Sequence, residues 1–250
     1  MSVLTVRFHS EALGKQTSFN VIHPDQGEGP FPVVLQLHGY SDDSVSWLYN
    51  SNLVRHAAKW PMIIVLPDGG TSRYLNLEFH ERFGLQRYED FLVRDVCREV
   101  ERTFSTRSGP WAIGGLSMGG YGALRIGMKH SGMFASVWAH SAGMLRLTED
   151  WLAKLDDRDD ADVFIHAERF KARREAGEPT PVISFDSGID DFVFEHNREF
   201  HEHLTQIGLE HSWFEHPGAH TWDFWNEHVK EALDQHARVF CLDQVSSHFT

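Results

Sequence analysis

The feature that most constrains the fold of this chain is a serine flanked by glycines, in the sequence Gly-Leu-Ser-Met-Gly at residues 115–119. It follows a short strand pattern at 111–114 and precedes a helix pattern of small residues. A serine on a sharp strand-to-helix turn exposes its hydroxyl above the sheet, and side chains two residues to either side would clash there. The context therefore predicts a strained turn with Ser117 as a nucleophile, rather than an incidental serine in a glycine-rich turn.

Strand and helix patterns alternate along the chain, which is typical of a mostly parallel sheet with helices on both faces. Continuous apolar runs at 33–37 and 62–66 indicate strands buried on both sides. The other strand patterns fall at 3–8, 17–23, 111–114, 134–138, 182–185 and 212–214. Apolar residues recur at every fourth position from 88 to 104, which predicts a helix. We expect one α/β domain over residues 1–250, with a short, irregular and charged excursion over the site at about 144–180.

A serine hydroxyl needs a base that takes its proton during attack, and this chain offers 17 histidines. In folds with this turn the nucleophile comes first, the acid second and the histidine last. His220 lies in a loop between the last strand pattern and the last helix pattern, where its ring can reach over the sheet. His216 falls in the strand, and His228 and His236 fall on the helix, in structural or solvent-facing positions. His220 is therefore the predicted general base.

The third member of such a site is a carboxylate that orients the imidazole, placed just past a strand end. Asp186, Asp190 and Asp191 are the candidates after the strand pattern at 182–185. Asp186 stands at the predicted strand tip, and Asp190 has an alternative role as the cap of the helix that follows. The residues alone leave this choice open.

An acyl-transfer site also needs preorganised N–H donors for the oxyanion. We predict that these are the backbone N–H of Met118, directly after the nucleophile, and that of Tyr40, in the loop after the third strand. His38 in that loop is expected to be structural. Trp222 and Trp225 have two open roles, since they either line an acyl pocket or anchor the last helix in the core.

Five segments together resemble the esterase D and tributyrin-esterase branch of the α/β hydrolases, which is related to S-formylglutathione hydrolases and antigen 85 mycolyltransferases. They are LHGY at 37–40, PDGG at 67–70, GLSMGGYGAL at 115–124, GIDDF at 188–192 and HTWDFW at 220–225. The resemblance implies the α/β-hydrolase fold. It also implies that Asp191 is the acid, because in that family the acid lies three residues after the glycine.

The activity implied by the resemblance is that of a serine carboxylesterase, which hydrolyses short-chain carboxylic esters through an acyl-enzyme. Acyl transfer to an alcohol and a thioesterase of the S-formylglutathione hydrolase type are alternatives that use the same triad. Feruloyl and acetyl-xylan esterases also belong to the family. A non-catalytic binding protein is disfavoured, because binding alone does not require a serine, an acid and a histidine in this order.

The formal net charge of −13 disfavours nucleic acid and anionic membranes as partners. The N-terminal residues lack a basic region followed by an apolar run, so a cytoplasmic location is expected. No cofactor and no metal are expected, since His196, His201 and His203 would not converge on one ion from a single helix. A small-molecule ester is the expected substrate, and the sequence leaves the oligomeric state open.

Overall fold

The computed structural model describes residues 1–144, 152, 153, 155 and 157–244, and the statements below concern these residues. Its main sheet has eight strands in the order β1-β2-β4-β3-β7-β8-β9-β10, and all but β2 run in one direction. The strands of this sheet are β1 (Ser2–Ser10), β2 (Lys15–His23), β3 (Val33–Leu37), β4 (Ile63–Pro67), β7 (Trp111–Leu116), β8 (Phe134–His140), β9 (Val182–Gly188) and β10 (Ser212–His216). A separate antiparallel hairpin consists of β5 (Asn76–His80) and β6 (Gly84–Arg87).

Helices cover both faces of the sheet, as the alternating pattern predicts. They are α1 (Ser46–Tyr49), α2 (Leu53–Ala57), α3 (Tyr88–Asp90), α4 (Cys97–Thr103), α5 (Met118–Lys129), α6 (Val163–Glu175), α7 (Phe194–Gln206) and α8 (Trp222–Val239). Side chains of α4 to α7 pack in a core on one face, and those of α1, α2 and α8 pack in a second core on the other. In the described part of the chain, no helix has both the length and the apolar character needed to cross a lipid bilayer.

The predicted helix with apolar residues at every fourth position contains a π-helical segment, Phe91–Val96, between α3 and α4. In a regular α-helix, four residues advance the side chain by about 40° beyond one full turn, so a strict spacing of four drifts around the helix. A π-helix has more residues per turn. The segment thereby keeps Leu92, Val96 and Val100 on one buried face.

Four short elements have no counterpart in the sequence prediction: the hairpin strands β5 and β6, and the helices α1 and α2. Each has four or five residues, which is too few for a periodic pattern to develop. Part of the predicted excursion at 144–180, residues 145–151, 154 and 156, lies outside the described residues. Its described part includes a 3₁₀ turn at Arg158–Ala161 and α6, which packs on α5.

Candidate active site

Ser117 occupies the turn between β7 and α5 in a conformation that residues other than glycine rarely adopt, with φ of 52° and ψ of −115°. Two backbone hydrogen bonds hold it there. The Ser117 N–H donates to His140 O at 2.9 Å, and its carbonyl accepts from the Gly143 N–H at 2.8 Å. The strained turn expected from the sequence is therefore present, and bonds from the last residue of β8 and from the segment after it hold it in place.

The two flanking glycines are required by close backbone contacts. A Cβ on Gly115 would lie 2.6 Å from the backbone of Gly119, and a Cβ on Gly119 would lie 2.6 Å from Leu37 O and 2.7 Å from His38 O. Real Cβ atoms do not approach other atoms so closely, so an alanine at either position would displace the backbone. These contacts also bring the end of β3 directly beside the first turn of α5.

Ser117, His220 and Asp191 form a continuous hydrogen-bonded chain. The His220 Nε2 atom lies 2.9 Å from Ser117 Oγ, and its Nδ1 atom lies 2.9 Å from each carboxylate oxygen of Asp191. A neutral ring with its proton on Nδ1 donates to Asp191 and accepts from the serine hydroxyl. The Asp191 side chain is fully buried, and 18% of the His220 side chain is exposed. The arrangement suits proton transfer from the serine at the protein surface.

The loops that carry Asp191 and His220 are joined through their backbones. The Asp190 N–H donates to Gly218 O at 2.9 Å, and the Ile189 N–H donates to His216 O at 2.9 Å. A Cβ on Gly188 would lie only 2.2 Å from Gly218 O, so glycine is needed where the two loops meet. The relative position of the acid and the imidazole is thus set by main-chain contacts.

The other two aspartate candidates are engaged elsewhere or point outward. Asp186 lies inside β9, fully buried, and its Oδ2 accepts from Trp138 Nε1 and His140 Nδ1, each at 2.7 Å. Asp190 is exposed, and α7 begins only at Phe194, so the predicted capping role of Asp190 is wrong. The carboxylate that accepts from the backbone ahead of that helix is Asp191, which receives the Val193 N–H at 3.0 Å.

The two amides expected to face an oxyanion, those of Met118 and Tyr40, donate to no protein acceptor among the described residues. The loop that carries Tyr40 is held rigidly by the ring of His38. This ring donates from Nδ1 to Gly39 O at 2.7 Å and accepts the Gly69 N–H on Nε2 at 2.8 Å. The structural role predicted for His38 is therefore observed, and the two free amides lie in segments that pack against each other.

Aromatic side chains surround the imidazole of His220. The buried Trp225 ring meets it edge-on at 4.9 Å between centroids, and Trp225 Nε1 donates to Ser141 Oγ at 3.2 Å. Trp222 packs edge-on against Trp225 and Trp47, at 5.4 and 5.2 Å. Both tryptophans thus anchor α8. Their role as pocket residues stays a prediction.

Sequence reasoning missed two residues near the site. Phe192 is 67% exposed, and its ring centroid lies 4.5 Å from that of His220. Asn197 is fully buried on α7 and makes paired hydrogen bonds to the backbone of Ala142, at 3.1 and 2.9 Å. Ala142 precedes the glycine that binds the Ser117 carbonyl. A phenylalanine directly after Asp191 was the available sequence signal for Phe192, whereas the contacts of Asn197 depend on the folded chain.

A cavity of about 650 Å³ lies between α5, α6 and α7. Tyr121 and Met144 line its inner side, and Tyr121 is one helical turn after Ser117. Burial raises the pKa of the Tyr121 hydroxyl to about 12, so it stays neutral and donates to Ala161 O at 2.6 Å. The rest of the lining mixes apolar side chains with charges of both signs. The cavity can hold a polar but uncharged group.

Comparisons with known proteins cover nearly the whole chain. The family described as "Putative esterase" matches residues 10–236, a stretch that includes Ser117, Asp191 and His220. An acetyl esterase from Caldicellulosiruptor saccharolyticus is 27% identical over 96% of this chain and 99% of its own length. The esterase Rv1288 of Mycobacterium tuberculosis (strain ATCC 25618 / H37Rv) is 30% identical over 86% of this chain, which spans 54% of that protein. The solved structure of a ferulic acid esterase has a TM-score of 0.81 at 25% identity and covers 96% of this chain and 98% of its own.

Proposed function

Because the chain belongs to the esterase family and is a serine-type carboxylic ester hydrolase of the α/β-hydrolase fold, we propose that Ser117, His220 and Asp191 are its catalytic triad. The resemblance drawn from the five sequence segments is confirmed by the family match. The observation that carries the catalytic assignment is the hydrogen-bonded chain from Ser117 Oγ through His220 to Asp191, with every step at 2.9 Å. We propose short-chain carboxylic esters as the substrates.

Acylation begins when Ser117 Oγ attacks the ester carbonyl carbon and its proton passes to His220 Nε2. The imidazolium that forms is stabilised by the Asp191 carboxylate on the opposite side of the ring. When the tetrahedral intermediate collapses, the bond to the alcohol oxygen breaks and His220 returns the proton to that oxygen. The products of this half-reaction are the free alcohol and an acyl group esterified to Ser117.

The negative charge that develops on the carbonyl oxygen needs donors that are already oriented. The Met118 and Tyr40 N–H groups fit this role, since neither has a protein acceptor among the described residues. The partial positive charge at the start of α5 adds to the field there. Tyr40 contributes only its backbone to this step.

Deacylation repeats the sequence with water as the nucleophile. His220 takes a proton from the water as the oxygen attacks the acyl carbon, and it then returns this proton to Ser117 Oγ as the acyl bond breaks. A carboxylic acid leaves and the serine is regenerated. Acyl transfer would require an alcohol in place of this water.

The acetyl esterase among the relatives supports a short acyl group. The cavity bordered by Tyr121 and Met144 is large enough for the bulkier part of an ester, and its mixed lining favours a neutral polar group over a polyanion. The net charge of −13 acts in the same direction. We therefore expect acetyl and other short esters of neutral alcohols to be the best substrates.

The first test is replacement of the nucleophile. Ser117→Ala should abolish hydrolysis of an activated acetyl ester without lowering the melting temperature, and a fluorophosphonate probe should label Ser117 alone in the unmodified protein. Ser108→Ala, at an exposed serine, is the matched control and should retain both activity and labelling. Labelling of another serine, or full activity in Ser117→Ala, would overturn the assignment.

The assignment of the acid is tested by comparing substitutions at two neighbouring aspartates. Asp191→Asn should lower kcat by about 10⁴, the size of the effect in a related triad, because an amide can hold the ring in the wrong tautomer. Asp190→Asn, with its side chain in solvent, should leave kcat nearly unchanged. Greater damage from Asp190→Asn would mean that the acid is misassigned by one residue.

Substrate class is tested with a panel of esters of rising acyl length, together with feruloyl esters and S-formylglutathione. Activity that falls steeply beyond short acyl chains is expected. A preference for the glutathione thioester, or product formation that requires an acceptor alcohol, would replace this conclusion with one of the two alternatives.

A further inference from the structure

Three potential metal ligands meet at the edge of the sheet, outside the triad. His216 is the last residue of β10, and His228 and Glu231 project toward it from one face of α8, three residues apart. One ligand atom from each of the three lies within 4.8 Å of the other two. His228 Nδ1 is 3.1 Å from Glu231 Oε1, and His216 Nε2 is 3.5 Å from Glu231 Oε2.

We propose that His216, His228 and Glu231 bind one late first-row divalent transition metal ion, with Zn²⁺ as the reference ion. Two imidazoles and one carboxylate are a donor set that such ions favour, and they leave a fourth position for water. The sequence interpretation placed both histidines in structural or solvent-facing roles, because β10 and α8 are brought together only by the fold. The site is separate from the proposed triad and does not depend on the proposed activity.

One ligand atom without a hydrogen bond, His216 Nε2, supports this assignment. His216 Nε2 is buried and makes no hydrogen bond within the described residues, although it points toward the Glu231 carboxylate. A buried ring nitrogen without a hydrogen bond is costly, and a bound ion would satisfy it better than the 3.5 Å contact with Glu231 Oε2 does. The three side chains are partly exposed, at 24%, 13% and 42%, so an ion can reach them from solvent.

Coordination requires a small rearrangement. Bonds of about 2.0–2.1 Å at tetrahedral angles place neighbouring ligand atoms about 3.3–3.4 Å apart, so the cluster must contract by less than about 2 Å. The rings of His216 and His228 are stacked, with centroids 3.9 Å apart and planes 19° from parallel. Because each lone pair lies in its ring plane, the two rings must tilt toward the ion.

The position of the site allows a bound ion to restrain the loop that carries His220. The loop that carries His220 begins directly after His216 and ends where α8 begins at Trp222. An ion bound to His216 and to α8 therefore ties together the two ends of this loop. His216 also accepts the Ile189 N–H of the acid loop, so that loop is tied as well. Metal binding should stabilise the fold and slow opening of the loop.

The test uses tag-free protein treated with a chelator and then titrated with Zn²⁺ by calorimetry. We expect one saturable site per chain, and a melting temperature that rises by about 5–10 °C when free Zn²⁺ reaches about 100 times its dissociation constant. Hydrogen exchange of the backbone amides at 218–222 should slow when the metal binds. The absence of saturable binding would overturn the proposal.

Variants locate the binding. His228→Gln and Glu231→Gln should each weaken Zn²⁺ binding by at least about 10–100-fold, the loss seen when only the partner of a ligand is removed. His201→Gln is the matched control, since His201 Nδ1 lies 2.7 Å from His211 Nε2 in a surface histidine pair without a carboxylate partner in the cluster. Retained binding in the first two variants, or its loss in His201→Gln, would refute the site. Binding without slower exchange at 218–222 would refute the effect on the loop.

Discussion

Acid should destabilise this protein in a pH range set by a buried neutral histidine, His236 on α8. The side chain is fully buried against β8, where its Nδ1 atom lies 2.8 Å from Ser136 Oγ. Its Nε2 atom has no hydrogen-bond partner in the described chain. Burial, together with the nearby His140 ring, lowers the pKa of His236 to about 3. The folded protein therefore resists a proton that the unfolded chain accepts readily.

The direction in which stability changes with pH follows from the number of protons that the folded and unfolded states bind. Between the unfolded pKa of about 6.5 and the folded pKa of about 3, the unfolded state binds more protons, so stability falls as the pH falls through this range. From pH 8 to pH 5 this single group should remove about 2 kcal/mol from the free energy of unfolding. For a chain of this size, that loss lowers the melting temperature by about 4–8 °C.

Carboxylates do not account for the same pH range. Burial opposes ionisation of Asp160, but the His166 ring and the cations Arg125 and Lys129 outweigh it and hold the pKa of Asp160 at about 2. Arg125 likewise outweighs burial at Glu89 and holds the pKa of that carboxyl well below its ordinary value. Their stabilising ionised forms are lost as the pH falls below about 4, toward those lowered values. Burial also lowers the pKa values of His56 and His211, so some slope above pH 5 belongs to them.

The assay is urea unfolding at a series of pH values from 8 to 5, for the unmodified protein, His236→Asn and His9→Asn. Between pH 8 and pH 5, the free energy of unfolding of His236→Asn should fall by about 2 kcal/mol less than that of the unmodified protein, whatever the stability of the variant at pH 8. The His9→Asn variant, at an exposed position on β1, should keep the full slope. An unchanged slope in His236→Asn would refute the reasoning.

Two further changes test the packing around the site. Arg125→Met leaves the buried Glu89 without its 2.6 Å partner and should lower the free energy of unfolding by about 3–5 kcal/mol in urea. Adding Glu89→Gln should restore part of the lost stability. No recovery would mean that loss of the Arg125–Glu89 pair is not the cause of the destabilisation. Phe192→Ala removes the exposed ring beside His220 and should lower kcat/KM by about two- to tenfold, with little change in melting temperature. A large fall in melting temperature would instead show that Phe192 has a structural role.

The sequence predicts the strained turn at Ser117 well because the requirements of that turn are local. Gly115 and Gly119 are required by close contacts within one strand-turn-helix unit and with the neighbouring strand β3. The spacing of the two glycines around the serine therefore predicts the geometry of the turn. The buried strands β3 and β4 are predictable for a similar reason, since burial on both faces demands continuous apolar runs. Both inferences depend on residues close together in the chain.

The proposed acid could not be chosen from local pattern, because Asp190 and Asp191 differ only in the direction in which a turn points their side chains. That direction is set by hydrogen bonds from the acid loop to His216 O and Gly218 O, which belong to a strand and loop about 30 residues later. The resemblance to a family, rather than the residues, pointed to Asp191. The cluster of proposed metal ligands and the pairing of Asn197 with Ala142 could not be predicted for the same reason, since each joins elements that are distant in the sequence.

The last helix, α8, contacts His220 and carries several of the residues discussed above. The Thr221 hydroxyl accepts from the Phe224 N–H at 3.5 Å, which starts α8 directly after His220. One turn later Trp225 packs its edge on the His220 ring and donates to Ser141, whose own N–H binds Asp186 O at 2.8 Å. His220 is therefore held between the start of α8 and the segment after β8, which also holds Ser117. The same helix carries His236 and two of the proposed metal ligands, so protonation and metal binding should both act on His220, the proposed general base, through α8.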